Sequence, residues 1–339
     1  MKILVTGCAG FIGFHLVRRL LAGGHTVVGA DNLNDYYSPE LKAARLRGLG
    51  IDTYKLEYNV PATSAAGDFT FILADIEDGE LYGQHLNGMR FDLVCHLAAQ
   101  AGVRYSIDNP AQYISSNIVG FFNMLEYCRH NPVRRLVFAS SSSVYGNNDS
   151  VPYHEGDRTD EPRSLYGATK KANEVMAYSY SSLYGIEAVG LRFFTAYGPW
   201  GRPDMAPFLF TKAVIDGAPI DVFNGGDMMR DFTYIDDIVE GICRVLLDEP
   251  KGGKQHEAFR IYNIGNSRPV GLNDFIAVVE GAAGRKAERN SLPMQPGDVL
   301  HTWADTSRLQ EDYGYAPSTP LETGLRAFVE WYREYYKKQ

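Results

Sequence analysis

Tyr166 and Lys170 stand four residues apart in Tyr166-Gly167-Ala168-Thr169-Lys170, which places a phenol and an ammonium on one face of a helix. A phenol ionises near pH ~10 and is a poor base at neutrality. A neighbouring cation favours the phenolate, and lowering the pKa by ~3 units requires about 4 kcal/mol of differential interaction. Alone, the pair also fits an ordinary helix surface. Ser141 adds weight, some 25 positions earlier in the run Ala139-Ser140-Ser141-Ser142-Ser143-Val144-Tyr145-Gly146. Four serines at the mouth of a buried strand are hard to explain as packing. They suit a hydroxylated ligand whose proton is to be moved.

A second stretch, Gly7-Cys8-Ala9-Gly10-Phe11-Ile12-Gly13, has the spacing of a diphosphate-binding turn. Glycines let the backbone approach a diphosphate, and the N-terminus of the following helix offers unpaired N–H groups and positive dipole, with Phe11 and Ile12 counted beside Gly7, Gly10 and Gly13 as cofactor contacts. The β-branched run Lys2–Thr6 precedes it, an amphipathic stretch over 13–21 follows, and Asp31 ends the next strand. A carboxylate there accepts hydrogen bonds from both ribose hydroxyls and repels a 2′-phosphate, so the turn predicts NAD rather than NADP. Asn32 and Asn34 add ribose contacts or serve as turn formers.

The elements that position these groups alternate. Strand patterns lie at 2–6, 25–30, 69–73, 93–96, 136–140 and 188–193, with helical patterns at 13–21, 38–49, 111–129 and 166–183 between most of them. This predicts an α/β fold, a Rossmann-type doubly wound parallel sheet whose ligands sit at the strands' carboxyl ends. Residues 1–198 are expected to form the NAD-binding domain with the Ser/Tyr/Lys set. From Pro199 the chain becomes richer in Pro and Gly. Residues 199–339 are read as mainly a smaller substrate-binding lobe, interwoven with the first domain.

A net charge of −8 argues against general nucleic-acid binding, which needs a basic surface. No apolar run approaches the ~18 residues of a membrane helix. Cys8, Cys95, Cys128 and Cys243 are far apart and read as buried thiols of a soluble cytoplasmic chain. The eight histidines show no metal spacing with them, and His96 reads as a core residue. Trp331, Tyr332, Tyr335 and Tyr336 have the spacing of a packing face.

The sequence resembles the extended short-chain dehydrogenase/reductase family along essentially its whole length, and within it the group of UDP-glucuronate 4-epimerases. The resemblance is carried by TGCAGFIG from Thr6, DNLNDYY from Asp31, LAAQAGVRYS from Leu97, SSSSVYG from Ser140, YGATK from Tyr166, LRFFTAYGPWGRPDMA from Leu191, RDFTYIDD from Arg230 and QPGD from Gln295. Cys8 and Ala196 depart from the usual alanine and valine, away from the chemistry. Carried over by position, it implies that Asp75 and Ile76 hold the adenine, that Leu97, Ala98, Ala99 and Gln100 line the cofactor groove, and that Asn117 supports the nicotinamide side. Ser141 becomes the catalytic hydroxyl, Tyr166 the base and Lys170 its partner. Arg230 is implied to grip the nucleotide diphosphate, Asp298 the uridine ribose, and Arg202 and the Phe208 region the uridine end. It further implies a UDP-sugar substrate, a tightly held NAD regenerated in each cycle, and a homodimer.

Within that resemblance the expected reaction is reversible inversion at C4 of the sugar through a 4-ketone. Ser142 and Ser143 stand where dehydratases and decarboxylases of the family carry acids, so elimination lacks an agent. Ser142, Ser143 and Thr195, with Arg104, are candidates to hold a sugar carboxylate; Arg104 equally suits a diphosphate. Gln295 replaces the phosphate-binding arginine of galactose-type enzymes. The alternatives are a UDP-galactose or N-acetylhexosamine 4-epimerase, a UDP-glucuronate decarboxylase, and a non-enzymatic NAD sensor.

Overall fold

A computed structural model describes residues 1–252, 257–293 and 300–337. The run Lys2–Thr6 (β1) alternates its side chains between two apolar layers, Ile3 and Val5 to one, Leu4 to the other, so this strand lies mid-sheet. The helix Phe11–Ala22 (α1) follows, then Thr26–Asp31 (β2), Pro39–Gly48 (α2), Pro61–Thr63 (β3) and Phe69–Leu73 (β4). After Leu93–His96 (β5) come two short helices, Tyr105–Asp108 (α3) and Pro110–Tyr113 (α4). A π-helical stretch, Ile114–Val119, joins α4 to Gly120–His130 (α5). Arg135–Ser141 (β6), Leu165–Tyr184 (α6), Ala188–Phe193 (β7) and Thr195–Tyr197 (β8) complete the expected first domain.

Beyond Pro199 the chain builds Ala206–Asp216 (α7), Ile220–Phe223 (β9), Met229–Tyr234 (β10), Ile235–Leu247 (α8) and Phe259–Ile264 (β11). It ends with Pro269–Gly271 (β12), Leu272–Ala283 (α9), Arg289–Leu292 (β13), His301–Thr302 (β14), Ser307–Tyr313 (α10) and Leu321–Tyr336 (α11).

The main sheet has eight strands in the order β11-β7-β6-β5-β1-β2-β4-β3, parallel except for the β3 edge. Strand order reverses between β1 and β5, and the crevice at that switch point is where such sheets take ligands. One apolar layer carries α1 and α8, the other α5 and α6. The path of the chain after residue 199 is therefore divided: α8 packs on the main sheet beside α1, and β11 adds to it beside β7. The rest forms the lobe, in which β10 pairs with β8, β12 and β14, β9 with β13, and α7, α9 and α11 enclose a core around Phe232, Phe275 and Val279.

Candidate active site

Both parts of the molecule face a single cleft of about 1260 Å³, above the ~300–1,000 Å³ of one drug-sized ligand. Its floor is the dinucleotide turn. Gly7 has φ 72°, and a Cβ there would come within 2.7 Å of Ala98 N, so only glycine fits between the end of β1 and the second residue after β5. Gly10 caps α1 with no side-chain hydrogen bond to the first turn, leaving those N–H groups to a ligand. Gly13 serves differently: a Cβ there would lie 2.9 Å from Cys8 Cα, inside the turn itself. Phe11, Ile12, Asp31, Asn32, Asn34, Ile76 and residues 97–100 join the glycines in the lining. Asp31 Oδ2 accepts from Ala9 N at 3.1 Å and Oδ1 from Leu33 N at 2.9 Å, which aims the carboxylate along the turn. An uncapped helix end, a cradle closed to any Cβ and a carboxylate at the next strand end fit a dinucleotide with a free ribose.

Two residues expected against the cofactor lie outside the lining. Asp75 stands beside it, its Oδ1 accepting from Asn32 Nδ2 at 2.5 Å. Asn117 is buried behind the wall because both ends of its amide are already used. Oδ1 accepts from Gln100 N at 2.8 Å, and Nδ2 donates to Gln100 O at 3.0 Å and Thr169 Oγ1 at 3.0 Å. It ties the cleft wall at Gln100 to α6 and is absent from the lining itself.

Ser141, Tyr166 and Lys170 line the same cleft. Ser141 closes β6 and accepts from Ser143 N at 3.1 Å, and it hydrogen-bonds the Tyr166 phenol. Burial pushes the Tyr166 phenol up, and Ser141 and the Arg202 charge pull in the opposite direction. Lys170 is buried, donates to Ala139 O at 3.0 Å, and is pushed down to about 8 by desolvation. Ser164 caps α6 by accepting from Gly167 N at 3.0 Å, and this sets the start of the helix that carries the pair. Ser142, Ser143 and Thr195 also line it.

From the lobe side come Arg202 and Arg230. Arg202 pairs with Asp204 at 2.5 Å, and Tyr36 Oη donates to the same carboxylate at 2.9 Å. Arg230 Nη1 donates to Leu300 O at 2.9 Å. Its neighbour Asp231 is buried and accepts from the N–H groups of Asn266, Ser267 and Ala304, which turns Arg230 toward the cleft. Arg104 lines the cleft with its guanidinium 5.5 Å from the Phe223 ring of β9. Phe208 is a correction. It is buried among Phe328, Trp331 and Tyr332, because that side of α7 is covered by α11, while Leu209 and Phe210 face the cleft. The expected aromatic packing face is that same cluster. Asp298 and Gln295 lie outside the described residues.

Three lining or supporting residues had no place in the sequence reading. Lys42 lines the cleft and donates to Asn34 O at 2.6 Å. Tyr113 Oη donates to Gly102 O at 2.6 Å. Arg45, fully buried, donates to Ala9 O at 2.8 Å within the turn. The available signal was α2 itself, whose sequence Pro39-Glu-Leu-Lys-Ala-Ala-Arg-Leu-Arg-Gly48 lacks an apolar stripe wide enough for a helix buried along one side.

The model of the NAD dependent epimerase/dehydratase family matches residues 3–265. UDP-glucuronate 4-epimerase 4 of Arabidopsis thaliana is 47% identical over 99% of this chain and 76% of its own length. The crystal structure of UDP-glucuronic acid 4-epimerase from Bacillus cereus in complex with UDP-glucuronic acid and NAD is 34% identical, with a TM-score of 0.87 over 99% of this chain and 100% of that one. The UDP-glucose 4-epimerase of Thermotoga maritima with UDP-glucose is 29% identical, with a TM-score of 0.84 over the same 99% and 100%. The chain belongs to the NAD-dependent epimerase/dehydratase family.

Proposed function

We propose that this chain is an NAD-dependent UDP-glucuronate 4-epimerase that interconverts UDP-glucuronate and UDP-galacturonate without releasing carbon dioxide. The observation that carries the reading is the set of hydroxyls at Ser141, Ser142, Ser143 and Thr195, in one cleft with Tyr166 and the dinucleotide turn. NAD, when bound, accepts hydride from the sugar C4 and gives it back to the other face of that carbon. Asp31 and the turn hold its ribose and diphosphate, with Ile76, Leu97, Ala98, Ala99 and Gln100 along the groove, Asp75 at its adenine end and Asn117 bracing it from behind. Tyr166 takes the C4 hydroxyl proton at Oη and later returns it. Ser141 donates to that oxygen and Lys170 supplies the cation that favours the phenolate.

A 4-keto uronate is a β-keto acid and loses carbon dioxide when its carboxylate lies in line with the ketone π-system. Ser142, Ser143 and Thr195 hold the carboxylate out of that alignment, and no acid stands in the serine segment to drive elimination. Arg104 is assigned to the nucleotide side, with Arg202, Arg230 and Asp298, because its guanidinium lies toward β9 of the lobe. The reading is tested by assaying UDP-glucuronate against UDP-glucose, with products identified. UDP-glucuronate is expected to be preferred by ~10²-fold or more in kcat/KM. The Thr195→Ala variant is expected to leak UDP-pentose. Equal turnover of the two sugars overturns the uronate assignment, and an unchanged product ratio overturns the carboxylate hold.

The protein is further proposed to work as a cytoplasmic homodimer. Support comes from α5 and α6, which pack together and leave Phe122, Val175, Tyr178 and Leu183 exposed.

A further inference from the structure

Arg45 lies behind the dinucleotide turn, fully buried, and its planar fork reaches two separate segments of chain. Nη1 donates to Ala9 O at 2.8 Å, between Gly7 and Gly10, and to Tyr37 Oη at 2.6 Å. Nη2 donates to Trp200 O at 2.6 Å, two residues before Arg202. None of these three acceptors is a carboxylate. A guanidinium buried on neutral oxygens is costly to the fold, and a hydrophobic residue fills such a space better. Asp31 lies on the same turn, accepting from Ala9 N, and a diphosphate bound over the turn would add further negative charge facing Arg45.

The loop that Arg45 grips is strained. Trp200 has φ 64°, a left-handed conformation that a bulky residue keeps only when its surroundings impose it. The surroundings come from both sides of the cleft, α1 on one and Trp331 and Tyr335 of α11 on the other. The Trp200 ring packs on Phe14 of α1 at 5.4 Å and on Trp331 of α11 at 5.4 Å. His15, also on α1, donates from Nε2 to Pro199 O at 2.9 Å, and burial pushes its pKa down to about 4. Gly201 then turns back on Gly198 O at 3.0 Å, and Arg202 enters the cleft.

We propose that Arg45 is a positioning residue that couples the two ligand sites, fixing the dinucleotide turn and the Trp200–Arg202 loop against each other so that NAD and a uridine diphosphate group each tighten the other's binding. The proposal rests on the functional reading above for the identity of the second ligand. Lysine keeps the charge of Arg45 and can reach one carbonyl, but it cannot span Ala9 and Trp200 together.

The test uses NAD-loaded wild type, Arg45→Lys and Arg45→Met, with UDP as the probe. NAD release is timed with and without saturating UDP, and UDP affinity is measured by calorimetry on the NAD-loaded and NAD-depleted proteins. In wild type, UDP is expected to slow NAD release tenfold or more, and NAD to raise UDP affinity by a comparable factor, as reciprocity requires. In Arg45→Lys both factors are expected to fall below twofold while the protein stays folded and still binds each ligand; Arg45→Met removes the grip and the charge together. A lysine variant with the wild-type factors, even at a lower Tm, overturns the proposal and makes Arg45 a brace only. A wild type that epimerises UDP-glucuronate but shows no effect of UDP on NAD release overturns the coupling and leaves the function standing. A wild type that binds NAD but neither UDP nor UDP-glucuronate overturns the functional reading and the coupling with it.

Discussion

At the scale of single residues, the proposed chemistry turns on how the buried Lys170 is kept charged on the helix that also carries the half-buried Tyr166. Desolvation lowers Lys170 from 10.5 to about 8, so between those values the native protein binds fewer protons than the unfolded chain. Stability then rises with pH across that window, and below pH 8 the full penalty of a buried ammonium is present. Lys170→Met is therefore expected to stabilise the cofactor-free protein at pH 7, on the order of 1–3 kcal/mol once the lost bond to Ala139 O is allowed for. The gain should shrink as pH climbs from 8 toward 10.5, in thermal melts taken across that range. A variant that is destabilised equally at every pH would contradict this account of Lys170. These residues were legible because Tyr166 and Lys170 obey helical spacing and Ser141 and Asp31 end strands. Phe208 was not, since the side of α7 that meets solvent is decided by α11, more than a hundred residues later.

At the scale of elements, α6 and the serine segment stay in register through a buried network. Glu174 lies one turn beyond Lys170 and accepts from Ser140 Oγ at 2.7 Å. It pairs with Arg192 of β7 at 2.8 Å, both side chains less than 5% exposed. Arg192 in turn donates to Tyr145 Oη at 3.0 Å, just past the serines. Removing the cation leaves a carboxylate buried with too few partners. Arg192→Met is expected to lose ~3–5 kcal/mol of stability by urea denaturation, while changes at exposed pairs such as Arg158 and Asp160 stay near zero. A loss under ~1 kcal/mol would mean that the network is dispensable. Six of the eight strands of the main sheet were readable from their apolar runs, and so was their parallel pairing; the three-residue antiparallel edge strand β3 was missed because its residues Pro61–Thr63 carry no apolar run. β11 was missed, because Phe259–Ile264 joins β7 only after the lobe has been built, and no local pattern reports a partner so distant in sequence. The π-helical stretch at Ile114–Val119 was also hidden. It brings Asn117 behind Gln100, where an unbroken 3.6-residue period would have turned it elsewhere.

At the scale of the whole molecule, α8 packs on the main sheet and β11 pairs with β7, which binds the sheet and the lobe into one body. The expected division near residue 199 already had the second part interwoven with the first, and the return of α8 and β11 to the main sheet is the form that interweaving takes. The exposed apolar side chains of α5 and α6 belong to this scale too. Phe122→Glu combined with Tyr178→Glu is expected to give a monomer in sedimentation at micromolar concentration, with NAD still bound. A wild type that sediments as a monomer would contradict the dimer. The central claim, that one cleft keeps NAD and returns the hydride it takes, is tested most directly by incubating the purified protein with UDP-glucuronate and no added cofactor. The account predicts conversion to a mixture with UDP-galacturonate and little UDP-pentose. Absence of conversion in a protein shown to retain NAD, or release of carbon dioxide as the main outcome, would contradict it.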